Sequence, residues 1–85
     1  MPSIAEFLGM VIYMYWDEHP PAHFHVKFGS MWASIDVYTG ELVDGALPRK
    51  KLKKIEEWRS IHMEELLKNW EIVSKNGSPD KVAPL

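Results

Sequence analysis

Apolar and polar residues alternate along the first half of the chain, and apolar residues recur at helical spacing along the second. Residues 10–16 form an apolar, β-rich run with no glycine or proline inside it. Residues 23–28 alternate, with Phe24, Val26 and Phe28 on one face and His23, His25 and Lys27 on the other. Residues 31–38 alternate again, Met31, Ala33, Ile35 and Val37 against Trp32, Ser34, Asp36 and Tyr38. Residues 17–22 read as a loop marked by Pro20 and Pro21. Gly29-Ser30 fits a two-residue hairpin turn, with glycine supplying positive φ. Thr39-Gly40 predicts a second turn into a short strand over residues 41–43, ended by Asp44-Gly45.

The second half reads as helix. Pro48 suits a first helical turn, where its missing N–H does no harm. From there to about residue 75 no glycine or proline occurs. Leu52, Ile55, Met63, Leu66, Leu67, Trp70 and Val73 define one apolar face, and Asn76-Gly77 is a stop signal. Trp58, Ile61 and Ile72 project away from that stripe, so a break near Ser60 is expected. The tail from Ser78 is polar with two prolines and is expected to be loosely held. The fold class predicted is α+β: one domain over residues 1–85, with a small antiparallel sheet of three to four strands packed on one face by one kinked or two C-terminal helices.

The hairpin turn also sets a register. Gly29-Ser30 places Phe28 opposite Met31, so Lys27 faces Trp32, His25 faces Ser34 and His23 faces Asp36, each pair about 5 Å apart at Cβ. The apolar partners, Phe24 with Ile35 and Val26 with Ala33, share the other face, which the helical segment must cover. The polar face carries His23, His25, Lys27, Trp32, Ser34, Asp36 and Tyr38. Tyr13 and Tyr15 join it if Met10, Ile12, Met14 and Trp16 point inward.

Composition narrows the function classes. The chain has 85 residues, 46% of them hydrophobic, and a net charge of -2. That is enough apolar content for a modest core and gives no global attraction to nucleic acid or an acidic membrane. Absence of cysteine excludes disulfides and thiolate zinc sites and fits a reducing cytoplasm, the expected location. Residues 7–16 are apolar but fall short of the roughly 20 residues of a membrane helix. They also lack the flanks of a signal peptide. No internal repeat or low-complexity tract is present.

Three of the four histidines lie in the run His19-Pro20-Pro21-Ala22-His23-Phe24-His25. His23 and His25, two apart on a strand, share a face with Asp36. The group has the ingredients of an acid–base site, with His23, His25 and Asp36 as candidate catalytic residues, or of a metal site with His19 swinging in. It equally fits histidines that simply hydrogen-bond Asp36 and Ser34 across the sheet. No zinc-enzyme helix motif occurs, and neither a structural metal nor another cofactor is expected. His62, at the edge of the apolar stripe, reads as a boundary residue. Asp17 and Glu18 read as a solvated loop pair.

Arg49, Lys50, Lys51, Lys53 and Lys54 crowd a helix start, where cations oppose the macrodipole. Contact with phosphate is one explanation; a solvated face neutralised by Glu56, Glu57 and Glu64 is the other. Trp32, Tyr38 and Tyr13 on an open sheet can stack nucleobases, as RNA-binding sheets do, or can fill cross-strand pairs or a dimer interface. No Ser-His-Asp order, phosphate loop or paired-carboxylate arrangement is present.

The opening Met1-Pro2-Ser3-Ile4, the histidine run, Leu47-Pro48-Arg49, and the pattern Trp58, His62, Glu65-Leu66, Asn69-Trp70 resemble the prokaryotic family catalogued as domain of unknown function 4160. The resemblance covers nearly the whole chain and implies a small sheet followed by helices. Members are often encoded beside a second small domain, an arrangement similar to a toxin–antitoxin pair, which implies a small protein partner. The leading expectation is therefore a cytoplasmic protein-interaction module. The alternatives are a small nuclease, using His23 and His25 with Lys27 and the basic run on phosphate, and a non-catalytic nucleic-acid-binding protein. His19, Lys27, Trp32, Tyr38 and the basic run are the candidate binding residues. An open aromatic sheet face also predicts self-association or a partner that covers it.

Overall fold

A computed structural model describes residues 3–16 and 19–85. Met1 and Pro2 of the family-like opening, and the loop pair Asp17 and Glu18, lie outside the described residues. Five antiparallel strands form one sheet in sequence order: β1 (Ser3–Phe7), β2 (Met10–Tyr13), β3 (His23–Phe28), β4 (Met31–Asp36) and β5 (Leu42–Gly45). One helix, α1 (Arg49–Ser74), follows. The α+β class matches the sequence reading; the strand count exceeds it by one.

The extra strand is β1, joined to β2 by Leu8-Gly9. Both turn residues have positive φ, 50° at Leu8 and 77° at Gly9, as a tight hairpin turn requires. Leucine rarely adopts that conformation, so the turn carries none of the Asn-Gly or Asp-Gly chemistry that announces a hairpin. The turn at Gly29-Ser30 does announce itself, with φ 61° at Gly29. Its register is the expected one: His23 pairs with Asp36, His25 with Ser34 and Lys27 with Trp32.

Strand β4 stops at Asp36, two residues earlier than alternation predicts. The Asp36 carboxylate Oδ1 accepts hydrogen bonds from Tyr38 N (2.8 Å) and Thr39 N (3.0 Å), which turns the backbone there. Tyr38 therefore belongs to the loop. Strand β5 runs later than expected, with Asp44 and Gly45 inside it, because an irregularity between Ser34 and Ile35 shifts the pairing to Ile35 with Leu42 and Ser34 with Asp44.

The helix is interrupted at His62, whose φ of -111° and ψ of 20° are non-helical, so two helical halves meet at a kink two residues beyond the break expected near Ser60. Ser60 Oγ donates back to the Glu57 carbonyl at 2.8 Å just before it, a competition with the helical ladder that bends helices. A straight 26-residue helix would run about 39 Å, beyond the 33 Å longest dimension of the molecule, and the bend lets both halves follow the sheet. At the C-terminus, Asn76 has φ 62°. Gly77 N donates to Ile72 O (2.8 Å) and Asn76 N to Val73 O (3.0 Å), a Schellman stop with Asn in the left-handed position.

The buried face of α1 is Ile55, Trp58, Arg59, Leu66, Asn69 and Val73. Trp58, expected on the outward side, is fully buried. The stripe is rotated from the apolar one because two polar residues, Arg59 and Asn69, occupy core-facing positions. Ile61 is exposed, as that rotation demands. Trp58 packs against Phe7 (ring centroids 5.4 Å) and Phe24 (5.7 Å), among Ile4, Met10, Ile12, Met14, Val26 and Ile35. Trp16 does not point inward with Met10, Ile12 and Met14. It is partly exposed, and its indole N–H donates to Gly77 O at 2.8 Å.

The tail is held rather than loose. Asn69 reads both backbone polar groups of Asp80: its Nδ2 donates to Asp80 O and its Oδ1 accepts from Asp80 N, each at 2.9 Å. The Trp58 indole donates to Ala83 O (2.8 Å), and Val82 is buried with its N–H donating to Ile4 O (2.8 Å). Replacing Asn69 by leucine, similar in volume, leaves two backbone groups unpaired and should cost about 1–3 kcal/mol. The expected readout is a lower urea midpoint at unchanged slope; an unchanged midpoint would show that Asn69 does not hold the tail.

Candidate functional site

The sheet face opposite α1 is built in rows. Tyr13 pairs with His25, and His25 with Ser34; Val11 pairs with Lys27, and Lys27 with Trp32. Alternation fixes this: each side chain two residues on returns to the same face. Tyr13 and Tyr15 join the face, as the inward placement of Met10, Ile12 and Met14 requires. Their rings are nearly parallel, 5.9 Å apart with 13° between planes.

Aromatic contacts continue from there. The Tyr15 ring meets His25 edge-on at 4.7 Å, His25 meets His23 at 5.2 Å, and His23 meets Trp70 of α1 at 5.1 Å. His25 Nδ1 and the Ser34 hydroxyl are hydrogen-bonded at 3.0 Å, the cross-strand bond the register predicts. His23 Nδ1 donates to Pro21 O at 2.8 Å; a carbonyl only accepts, so this nitrogen carries the proton. Trp70, which the sequence reading assigned to the core stripe, thus reaches the histidine pair. That contact joins residues 47 apart and carries no local signal.

The predicted site residues divide into three groups. His23, His25, Lys27 and Trp32 lie together on the open face. Asp36 is next to His23 in register, but its Oδ1 serves the Tyr38 and Thr39 amides. Tyr38 is exposed in that loop, and His19 is exposed in the loop before the Pro20–Pro21 bond. The basic run sits at the start of α1, on the other side of the sheet. Lys51 Nζ donates to Leu8 O (2.8 Å) and lies 4.8 Å from the Phe28 ring centre, fastening the helix start to the first hairpin. Lys54 is 3.7 Å from Glu57, and Arg49, Lys50 and Lys53 are exposed. Among the described residues, no three His, Asp or Glu side chains converge as a metal-holding group.

On the open face, Tyr13, Tyr15, His25, Val26, Lys27 and Trp32 line a concavity of about 140 Å³. Trp32 is half exposed at its rim.

Sequence reasoning missed Arg59, a cation placed on the buried helix stripe four residues after Ile55. Its Nη1 donates to Val37 O (2.8 Å) and Tyr38 O (3.3 Å), and its Nε to Glu56 Oε2 (2.8 Å); Nη2 bonds the other Glu56 oxygen. This fork holds the loop after β4 against the helix. Gly40 (φ 76°) passes so close that a Cβ there would lie 2.2 Å from Glu56 Oε2. The fork's hydrogen bonds lower the Glu56 pKa against the opposing effect of burial, and raise that of Arg59.

The fold and site define a class: a small α+β protein whose meander sheet is closed on one face by a kinked helix and presents an aromatic and histidine face on the other. The family model described as Domain of unknown function (DUF4160) matches residues 9–71, and the chain belongs to that family. No curated protein and no solved structure matches it. No described helix is long and apolar enough to cross a membrane.

The lowered Glu56 pKa sets a pH dependence. A depressed carboxyl contributes stability above its unfolded value and loses it as pH falls through the folded one. The Glu56 side chain is 50% exposed, so solvent screening keeps the contribution under about 1 kcal/mol. Glu56→Gln should lower stability at neutral pH by that amount, and the gap to the parent protein should close in acid. A gap that persists below the carboxylate range would place the effect elsewhere. Gly40→Ala should cost more, at least about 1 kcal/mol, through both backbone strain and displacement of the fork.

Proposed function

We propose that this protein is a cytoplasmic protein-interaction module that receives an extended segment of a small partner protein along β5, as one member of a regulatory pair of toxin–antitoxin type. The observation that carries this reading is the asymmetry of the two sheet edges. The β1 edge is closed by the chain's own tail, through Val82 N to Ile4 O and Lys81 Nζ to Ser3 O. All four residues of β5 are exposed, with Leu42 at 45% and Val43 at 54%. A bare apolar edge strand is a template for another strand, which folded proteins normally blunt with lysine, proline or a cover. Strand addition uses such an edge for affinity and the flanking side chains for specificity.

Glu41 and Asp44 give this edge negative charge. Pairing two copies edge to edge would gather four carboxylates, whereas a segment carrying lysine or arginine would be attracted. A basic partner strand therefore fits better than a second copy. The alternative readings, a nuclease or a nucleic-acid binder, draw instead on the open sheet face and on the basic run at the start of α1.

Co-purification with the product of the neighbouring gene tests the proposal. Binding should fall at least about tenfold in Val43→Lys, since a lysine on an edge blocks strand addition, while the circular dichroism spectrum stays unchanged. Unaltered binding by the folded variant, or a dimer of the isolated chain that Val43→Lys dissociates, would overturn it.

A further inference from the structure

From the open-face concavity we infer a second binding site, for a nucleobase carrying a phosphate. The site is independent of the β5 edge. Its walls are aromatic: Tyr13 and Tyr15 on one side and Trp32 on the other, with His25 and the β3 backbone at Val26 between them and Lys27 at the rim.

The spacing suits one planar ring. Tyr13 is on β2 and Trp32 on β4, with β3 between them. Trp32 lies two residues along β4 from the Tyr13–His25–Ser34 row, so two strand spacings and that offset put the walls about 12 Å apart at the backbone. A ring centred between them lies about 6 Å from each, within the roughly 4.5–7 Å of favourable aromatic pairs. The volume of about 140 Å³ is below the roughly 300–1,000 Å³ of pockets that enclose drug-sized ligands. One base fits inside, and its sugar and phosphate remain outside.

The rim supplies the charge. Lys27 is exposed and pairs in register with Trp32, so a ring stacked on the indole brings its substituent to the ammonium group. Glu6 ends the same row, at the opposite edge of the sheet, with Val11 between it and Lys27. Asp44 ends the Tyr13–His25–Ser34 row, where its carboxylate accepts the Gly45 N–H. Neither separates Lys27 from the concavity. Aromatics at least partly exposed beside a cation on an open sheet are the elements that hold unstacked bases.

A free 5′-mononucleotide and one nucleotide of a single strand present this same chemistry. Calorimetric titration of the full chain with 5′-AMP, adenosine, inorganic phosphate and an eight-nucleotide adenine DNA strand separates the sources. The site predicts binding of 5′-AMP that is stronger than that of adenosine or phosphate. Equal affinity per site for 5′-AMP and the strand assigns a mononucleotide; tighter binding of the strand assigns single-stranded nucleic acid. Trp32→Ala should weaken either by about five- to hundredfold. Lys27→Gln should weaken them and flatten the salt dependence while leaving adenosine unchanged. Both side chains are exposed, and unchanged melting temperatures verify the fold. Val43→Lys should leave nucleotide binding intact, which separates this site from the proposed strand-addition edge. No binding by millimolar 5′-AMP or strand, or phosphate binding as well as 5′-AMP, would overturn the inference.

Discussion

Trp58 is the side chain on which the rest of the structure converges. It is fully buried, and its ring meets Phe7 of β1, Phe24 of β3 and His62 at the helix kink. Its indole N–H, which would be costly to bury alone, donates to Ala83 O. One residue thus ties the first strand, the central strand, both halves of the helix and the tail. In a chain this small, few alternative contacts exist to replace it. Its burial also fixes the helix rotation. With Trp58 inward, Arg59 and Asn69 must lie at the buried side, and each is satisfied there, by the loop after β4 and by the tail.

Those two polar residues work as anchors rather than as defects in the core. Arg59 donates to the carbonyls of Val37 and Tyr38 while forked to Glu56. Asn69 holds both backbone polar groups of Asp80. Among the described residues, no buried side-chain nitrogen or oxygen lacks a partner. The consequence is that the loop after β4 and the tail are both tied to the helix by hydrogen bonds. The tail then closes the β1 edge, while β5 remains bare.

The sheet therefore has two surfaces of different chemistry. The helix covers the apolar face except near the Gly29-Ser30 turn, where Met31 stays exposed, and has the basic run at its start, where Lys51 is committed to the first hairpin. The opposite face keeps its aromatic, histidine and lysine side chains, and β5 extends that open region to an apolar edge. Strand addition and ring stacking make different demands on a surface: unpaired backbone groups in the first, flat side chains in the second. This chain meets both demands at separate places.

Local patterning determined the β3–β4 hairpin. Gly29-Ser30 and two alternating strands place His23 beside Asp36 and His25 beside Ser34, because side-chain period and turn length leave one register. The helix limits followed from Pro48 and Asn76-Gly77 for the same local reasons. Strand β1 was hidden because its turn uses Leu8 at positive φ, a conformation that tertiary packing sustains and no local preference reveals. The helix rotation was hidden because hydropathy counts Arg59 and Asn69 as outward, whereas their hydrogen bonds to Val37, Tyr38 and Asp80 make burial tolerable. The tail's placement and the Trp70–His23 contact likewise depend on residues distant in sequence. Sequence alone decides structure where the interaction spans a turn; where a polar group finds its partner across the fold, only the tertiary structure says which way it faces.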